Sequence, residues 1–490
     1  MVTAPTAPAT PSTPSAPADP RISTRRNTEL ALIFAAMVIV LAYSAAVEDA
    51  LIGRVTARFW LIPALLTLVF VAAHIIVRML TPYADPAILP CVALLNGLGV
   101  AFLRRLDLGE VDTANRAHYG AFAGLGFRQL LWTLVSIVVA AVALAIVRDH
   151  RVLSRYAYTL GFVGLVLMMI PAVLPSSLSS INGAKLWIKF GGFFQIQPGE
   201  FAKLLLLSFF AYYLVRKREV LSLASRRFLG IDFPRGRDLG PVLVVWVLSL
   251  LVLIFEKDLG TALLYFGMFV VTLYIATERV SWLIIGLLLF IGGAFLANEL
   301  GATVGGPFAN FHERVEIWLH PFSDATGAGY QLVQSLLGLG TGGLFGAGPG
   351  AGQPGNVPFV NNDFIFAGIG EESGLFGLTA LLVVYLIITV RGLRAAIAVR
   401  DSFGKLMAGG LAFTLGLQVF VIVGGVTKLI PLTGQTTPFL SAGGSSLMAN
   451  WLLIGLLLRI SDASRRPVNS SPMPPGQPQR LAGMTTEIIR

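Results

Sequence analysis

The sequence predicts an all-α membrane protein, a polytopic bundle of about twelve transmembrane helices. Hydrophobic residues fill 55% of its 490 positions and charged residues only 13%, which leaves too little polar surface for a soluble globular domain. Apolar stretches, each long enough to cross roughly 30 Å of hydrocarbon, recur from Glu29 to Ile460. We therefore expect the bilayer to be the solvent for most of the chain.

Twelve apolar segments are candidate spans. They cover residues 29–47, 59–79, 86–103, 128–147, 155–175, 200–215, 240–256, 259–276, 281–299, 372–390, 404–427 and 438–459. The first is too long for a signal peptide and is followed by no small-residue cleavage site, so we expect it to stay as a helix. Residues 1–28 and 462–490 are mostly polar and proline-rich, and are predicted to be disordered tails.

Basic residues indicate which side each segment faces. An even number of spans puts both termini on one side of the membrane. Assigning that side to the cytoplasm places 22 Lys and Arg residues in inner segments and 11 in outer ones. Because basic residues collect in cytoplasmic loops, both termini are predicted to be cytoplasmic. The formal charge of +10 has the same explanation, so we do not expect a nucleic-acid partner.

One long segment, residues 300–370, interrupts the spans and is predicted to be an outer loop. It contains the uncharged run GLGTGGLFGAGPGAGQPG. A nucleotide-binding phosphate loop would end in Lys-Ser or Lys-Thr, which this run lacks, and cytosolic ATP would be on the opposite side. We therefore exclude an ATPase and interpret the run as backbone that turns tightly against the membrane or a partner.

Polar residues at the spans are candidates for function because the bilayer disfavours them. Glu200 and Lys203 stand at i and i+3 after Pro198, where they can neutralise each other. The pair either fixes helix packing or lines a substrate cavity. Asp258 precedes Leu-Gly-Thr at the outer border of two spans, and helix capping is the favoured interpretation.

Two further polar segments lie at the outer borders of later spans. Asp363 and Glu371 belong to NNDFIFAGIGEE, at the end of the long outer segment and before a span. From the residues alone, Asp363 is equally well a helix cap or a functional carboxylate. Lys428 and Ser441 lie in KLIPLTG and SAGGSS, which offer one cation and small residues that allow close helix packing.

Taken in order, these segments resemble a known family. NGAKLWI, FQIQPGEFAK, KDLGTALL, ERVEIWLHPFSDATGAGYQLVQSLLGLGTGGLFGAG, NNDFIFAGIGEESG and IPLTGQTTPFLSAGGSS are similar to segments of the RodA/FtsW/SpoVE proteins, also called SEDS proteins. GAGYQLVQS and the final segment look closer to the elongation members than to the division members. The resemblance implies a ten-span core at residues 86–460, preceded by two additional helices at 29–80.

The resemblance also implies an activity. Proteins of this family are peptidoglycan glycosyltransferases that polymerise lipid II at the outer face of the bacterial cytoplasmic membrane, in cell wall biogenesis and the control of cell shape. The expected partners are lipid II, membrane lipid and a class B penicillin-binding protein, a transpeptidase that crosslinks the product. The only cofactor we consider is a divalent cation, Mg²⁺ or Mn²⁺. A lipid II flippase and a non-catalytic scaffold for the penicillin-binding protein are the alternatives.

Matching residue by residue carries the family's functional positions to this chain. Asp363 corresponds to the family's essential aspartate and is the predicted general base; desolvation beside Phe364 and Phe366 should raise its pKa. The predicted substrate-binding residues are Lys185, Trp187, Arg314 and Lys428. The residues predicted to be structural or to line the cavity are Glu200, Lys203, Asp258, Glu371 and Ser441. Departures from the usual family residues occur at Gly199, Glu256, Lys257, His320 and Ala442.

Overall fold

The computed structural model describes residues 24–56, 59–109, 123–181, 184–190, 194–222, 224–228, 231–234 and 258–467, with a few positions between 240 and 251. Most of them are helical. The longer helices are α1 (Arg26–Ile52), α2 (Leu61–Leu80), α3 (Ile88–Gly109), α4 (Gly124–Ile146), α5 (Ala157–Val173), α6 (Pro198–Ser222), α7 (Leu259–Thr277), α8 (Ser281–Thr303), α9 (Ala309–Leu319), α10 (Tyr330–Gly342), α11 (Ile365–Ala398), α12 (Ser402–Val426) and α13 (Gly444–Arg465).

Short elements connect these helices. Two helices of four residues lie at Val152–Arg155 and Ser176–Ser179, and 3-10 turns lie at Gly306–Phe308, Pro321–Asp324 and Pro354–Asn356. Three antiparallel hairpins pair β1 (Ser180–Ile181) with β2 (Ala184–Lys185), β3 (Ile188–Phe190) with β4 (Phe194–Ile196), and β5 (Ala224–Phe228) with β6 (Ile231–Pro234). The hairpins are confined to connections, so the predicted all-α transmembrane bundle is confirmed.

Ten helices in the described part of the chain are long and apolar enough to cross a membrane: α1 to α4, α6 to α8 and α11 to α13. Helix α5 has 17 residues and occupies the predicted span at 155–175. Most of the predicted span at 240–256 lies outside the described residues, as do 1–23 and 468–490 of the two predicted tails. The chain is therefore a multi-pass membrane protein.

The spans differ in how far the protein itself covers them. Helices α3, α12 and α13 are the most enclosed, whereas most of α1, α8 and α11 is open to the surroundings. Exposed apolar side chains such as Val38 and Phe295 suit contact with lipid. Small residues allow close packing at the centre: a Cβ on Gly99 would lie 2.6 Å from the carbonyl oxygen of Leu440. Helix α1 packs along α3 and α2, which attaches the two additional helices to the core.

The predicted outer loop is largely folded. Helix α8 continues to Thr303 and α11 begins at Ile365, so the connection is shorter than 300–370, and it contains α9 and α10. The glycine-rich run continues α10 to Gly342 and then packs on α11, which is kinked at Gly374 (φ 65°, ψ −172°). A Cβ at Gly374 would lie 2.3 Å from the backbone nitrogen of Gly346. The tight packing of this run is thus against the protein's own helix.

Candidate active site

A cavity of about 540 Å³ opens at one end of the bundle. Five spans, α4, α6, α7, α11 and α13, begin beside it. Its polar and charged lining residues are Arg128, Gln129, Gln195, Gln197, Glu200, Asp258, Arg314, Gln331, Asn362, Asp363, Thr433, Gln435 and Thr436, and its aromatic lining residues are Trp132, Trp187 and Phe359. Because helix amino termini carry partial positive charge, this end of the bundle favours an anionic ligand.

Asp363 stands at the cavity wall, two residues before α11 begins. The next residue, Phe364, is buried, and so is Phe366, and their packing fixes the backbone that follows the carboxylate. Burial raises the pKa of Asp363 to about 6, against the opposing effects of the backbone N–H groups of Asp363 and Phe364 and of the Arg314 charge. At neutral pH most of the carboxylate is therefore ionised and able to accept a proton.

The segment before Asp363 is held by the connection between α12 and α13. The hydroxyl of Ser441 donates a hydrogen bond of 2.5 Å to the carbonyl of Asn362, and the backbone N–H of Ala442 donates to the carbonyl of Asn361 at 2.8 Å. Gln129 of α4 in turn donates to the carbonyl of Ser441 at 2.9 Å. The buried Ser441 thus acts on the cavity indirectly, as a support for the backbone beside Asp363.

Arg314 projects from α9 into the cavity. Its Nε donates to Asn310 Oδ1 at 3.1 Å and its Nη1 to the carbonyl of Leu432 at 2.7 Å. These two bonds leave donors of the guanidinium available, since arginine carries five N–H groups. Its charge lowers the pKa of both Asp258 and Asp363 relative to burial alone, so all three groups share one electrostatic environment.

Asp258 caps α7, as the sequence indicated. Its Oδ1 accepts from the backbone N–H of Thr261 at 2.9 Å, and its Oδ2 accepts from the Thr261 hydroxyl at 2.6 Å. Gln435 Nε2 also donates to both carboxylate oxygens at 3.1 Å. Burial raises the pKa of Asp258, although the bonds from Thr261, the charge of Arg314 and the bond from Gln435 oppose the shift. The capping role does not remove Asp258 from the cavity wall.

Glu200 and Lys203 form the expected pair in the first turns of α6. Lys203 Nζ lies 2.8 Å from Glu200 Oε2 and also donates to Gln418 Oε1 of α12 at 3.1 Å. Both side chains are at most 5% exposed. Glu200 lines the cavity while Lys203 lies behind it, so the pair ties the cavity wall to the packing of α6 on α12.

Trp187 and Arg314 line the cavity, but two other predicted substrate-binding residues lie elsewhere. Lys185 and Lys428, although both belong to the described part of the chain, are outside the cavity lining. Lys185 Nζ points to the carbonyl of Leu174 at 3.5 Å, and the backbone carbonyl of Lys428 accepts from Trp318 Nε1 at 3.1 Å. Their roles in substrate binding stay predictions.

Glu371 also lies away from the cavity, within α11. Its Oε1 accepts a hydrogen bond of 2.9 Å from the backbone N–H of Gln353, in the glycine-rich run. This contact gives Glu371 the structural role that the sequence analysis left open for it. It holds the run on α11.

Sequence reasoning missed several lining residues. Arg128 is one of the 11 basic residues of the predicted outer segments, and neither it nor Trp132, Gln331 and Phe359 is a predicted site residue. The available signal was the spacing in FRQLLW: Arg128, Gln129 and Trp132 fall on one face of a helix that starts at Gly124 rather than at 128. Phe359 has a positive φ of 56°, which is unusual for a bulky residue and has no sequence signature here.

The described ranges contain no group of three or more His, Cys, Asp or Glu side chains arranged to hold a metal ion. Asp258 and Asp363 line the same cavity, but both oxygens of Asp258 already accept hydrogen bonds from Thr261 and Gln435. The side chains that the structure describes therefore do not form a complete metal site on their own. A divalent cation stays a prediction.

Known proteins match this chain over most of its length. The sequence model of the FtsW/RodA/SpoVE family, described as cell cycle proteins, matches residues 85–466. The peptidoglycan glycosyltransferase RodA of Mycobacterium tuberculosis is 49% identical over 456 residues, which cover 92% of this chain and 94% of that protein. The protein of the same name from Mycobacterium leprae is 47% identical over 477 residues, covering 96% of this chain and 97% of its own length.

Solved structures give the same result. A chain from a peptidoglycan synthase complex, described for its coordination of polymerization and crosslinking, superposes with a TM-score of 0.59 at 26% identity, over 78% of this chain and 99% of its own. The rod shape determining protein RodA of Thermus thermophilus superposes with a TM-score of 0.52 at 25% identity, over 78% and 98%. The family match begins at residue 85, after α1 and α2. By sequence and by fold, this chain belongs to the FtsW/RodA/SpoVE family.

Proposed function

We propose that this chain is a peptidoglycan glycosyltransferase that polymerises lipid II at the outer face of the bacterial cytoplasmic membrane during cell elongation. The observation that carries the proposal is the cavity at the start of five spans, with Asp363 and Arg314 in its wall. The attacking hydroxyl requires a base, which the carboxylate supplies. The sugar diphosphate requires positive charge, which the cations and the helix amino termini supply. The mycobacterial relatives named for this activity support the proposal over nearly their whole length.

Asp363 is the proposed general base. A sugar hydroxyl of the acceptor attacks the anomeric carbon of the lipid-linked donor, and its oxygen forms the new glycosidic bond. The bond from that carbon to the diphosphate oxygen breaks, and the electron pair leaves with the diphosphate. The hydroxyl proton passes to the Asp363 carboxylate. The single displacement inverts the anomeric carbon, and Asp363 supplies the base that the attack needs.

Arg314 and Arg128 are the proposed partners of the departing diphosphate. Both line the cavity, Arg314 from the outer helix α9 and Arg128 from the second turn of α4. Arginine presents several donors in a planar fork that matches phosphate oxygens, and it keeps its charge throughout the reaction. The amino termini of the five spans add partial positive charge on the same side. Together they would stabilise the negative charge that develops on the leaving group.

Purified protein is expected to convert lipid II into glycan strands, and to do so faster with a class B penicillin-binding protein of the same cell. The partner is proposed because one structural relative belongs to a synthase complex that couples polymerization and crosslinking. The measurement is the initial rate of glycan formation in detergent or vesicles, with and without the partner, together with co-purification of the two proteins.

The same preparation separates the proposal from its alternatives. Movement of lipid II across vesicle membranes without any glycan product would identify a flippase. Glycan formed only after a separate glycosyltransferase is added would identify a scaffold. If the rate of glycan formation does not change with any class B partner, the polymerase assignment stands but the proposed coupling is removed.

The proposed topology places both termini in the cytoplasm and the segment between α8 and α11 outside. Its basis is the 22 to 11 division of basic residues between inner and outer segments. In a Cys91→Ala background, Asn356→Cys should react in intact cells with a thiol reagent that cannot cross the membrane, since Asn356 is exposed. Arg226→Cys should react only after lysis. Labelling of intact cells at 226 and not at 356 would reverse the orientation.

A further inference from the structure

The additional helix α1 contacts the glycosyltransferase core beside the segment that leads to Asp363. Helix α1 precedes the residues matched by the family, which begin at 85. Near its outer end, the Tyr43 hydroxyl donates a hydrogen bond of 3.0 Å to Glu372 Oε2 of α11. This bond crosses from a helix outside the family core to the helix that begins two residues after Asp363.

Glu372 is a buried carboxylate with one donor from the core and one from α1. It is only 1% exposed, and its Oε1 lies 2.5 Å from Arg105 Nε of α3. Arg105 Nη2 also donates to the carbonyl of Gly352 at 2.5 Å, in the glycine-rich run. A buried carboxylate that loses a donor retains the desolvation cost of the oxygen left behind. Tyr43 therefore takes part in holding Glu372, Arg105 and Gly352 in one arrangement.

The glycine-rich run lies between α11 and α1. On the α11 side, the backbone N–H of Ala347 donates to the carbonyl of Glu371 at 2.9 Å, and that of Gly348 donates to the carbonyl of Glu372 at 3.0 Å. On the other side is α1: a Cβ added to Gly350 (φ +81°) would lie 2.9 Å from the Cβ of Ala50. The run is thus packed on both faces.

From this run the chain continues directly to Asp363. Beyond Gln353, Pro354 and Val360 pack on the first turn of α11, where a Cβ at Gly368 would lie 3.1 Å from Pro354 Cβ and 2.5 Å from Val360 Cγ2. Both residues are buried. The backbone between the α1 contact and Asp363 is therefore attached to α11 at Pro354 and Val360, and this packed segment links a displacement at Gly350 or Gly352 to the carboxylate.

We propose that α1 supports the catalytic centre, with Tyr43 as a positioning residue that acts on Asp363 through Glu372 and the glycine-rich run. The inference rests on the proposed function, because its effect is on polymerisation. It assigns a task to a helix that lies outside the matched family core. A misplacement of a catalytic group by a fraction of an ångström lowers the rate of the chemical step without weakening substrate binding.

The test is Tyr43→Phe, which removes only the hydroxyl. We expect kcat for lipid II polymerisation to fall by about 3- to 10-fold, because Glu372 loses the donor from α1 but keeps Arg105. KM for lipid II should stay within about twofold. The melting temperature should fall only slightly, because the oxygen of Glu372 left without its donor costs about 1–3 kcal/mol of stability. The matched control is Tyr156→Phe, because Tyr156 is 59% exposed and lies far along the chain from α1 and α11.

A second measurement uses the close contact between the run and α1. Gly350→Ala should lower kcat, and combination with Ala50→Gly should restore part of the loss, because the two methyl groups would otherwise collide. Unchanged kcat in Tyr43→Phe, or a loss that follows melting temperature alone, would overturn the inference, as would strictly additive effects of the Gly350 and Ala50 changes. An unaltered protein that makes no glycan would instead refute the proposed function.

Discussion

Asp363→Asn protein is expected to make no measurable glycan from lipid II while keeping the fold and the partner of the unaltered protein. Asparagine is close to aspartate in size but cannot accept a proton as a carboxylate does. General-base assistance typically contributes about 10²–10⁴-fold to a rate, so the initial polymerisation rate should fall by at least about 10²-fold. The backbone beside Asp363 is held by Ser441 and Ala442 through bonds to Asn361 and Asn362, and none of these needs the carboxylate.

The matched control for this substitution is Asp324→Asn, in the same segment between α8 and α11. Asp324 is a described residue outside the cavity lining, and its Oδ2 accepts from the backbone N–H of Ala328 at 2.8 Å. Asparagine keeps an oxygen that can accept this bond, so the change should cost at most about 1 kcal/mol of stability and leave turnover nearly intact. Polymerisation at the unaltered rate by Asp363→Asn would remove Asp363 as the base. Asp258 would then be the next candidate, because it lines the same cavity whereas Glu371 does not.

The sequence predicted the spans and much of the site for a common physical reason. Apolar length determines a span, and a charged residue at its border must lie near an end of the bundle. Glu200, Asp258 and Asp363 all stand at the start of a span, and with alternating helix directions these starts meet at one face. The family motifs favour a functional carboxylate at Asp363 over a simple helix cap, a choice that the residues alone leave open.

Side-chain direction in the connections was harder to predict. Lys185 and Trp187 are two residues apart in the hairpin region, yet only Trp187 lines the cavity. Lys428 follows α12 with a positive φ of 62°, a conformation that hydrophobic patterning does not indicate. Arg128 was missed for a related reason: α4 begins four residues before the apolar run, so the arginine stands on its second turn, facing the cavity. Apolar length defines where a helix crosses the bilayer but not where it starts in water.

The glycine-rich run shows a second limit. Its composition predicted tight turns, and the structure has them, but part of the run is the end of α10. The surface against which it turns is formed by α11 and α1, and the contact with α1 joins Gly350 to Ala50, 300 positions apart in the chain. Local sequence cannot indicate such a contact. The importance of Tyr43 and Gly350 emerges only when α1 is placed against the core.

Glu200→Gln is expected to reduce the stability and the yield of the protein more than a conservative substitution of an exposed residue would. Lys203 would keep Gln418 as a hydrogen-bond acceptor at 3.1 Å but lose the carboxylate at 2.8 Å. Lys203 is buried, so its charge would stay in the membrane without a counter-charge. Removing one member of a buried ion pair typically costs about 3–5 kcal/mol. The measurements are the fraction of monodisperse protein after purification and its melting temperature.

The double change Glu200→Gln with Lys203→Met separates this loss from any effect on catalysis. Methionine removes the uncompensated charge while filling a similar volume, so most of the yield and melting temperature should return. Glu200 also lines the cavity, so a stable double variant that polymerises slowly would show that the carboxylate contributes to substrate binding as well as to packing. Unaltered stability of Glu200→Gln alone would mean that Gln418 satisfies Lys203 without help. The fold would then not require the pair. The position of Glu200 at the cavity wall would be the remaining explanation for its presence.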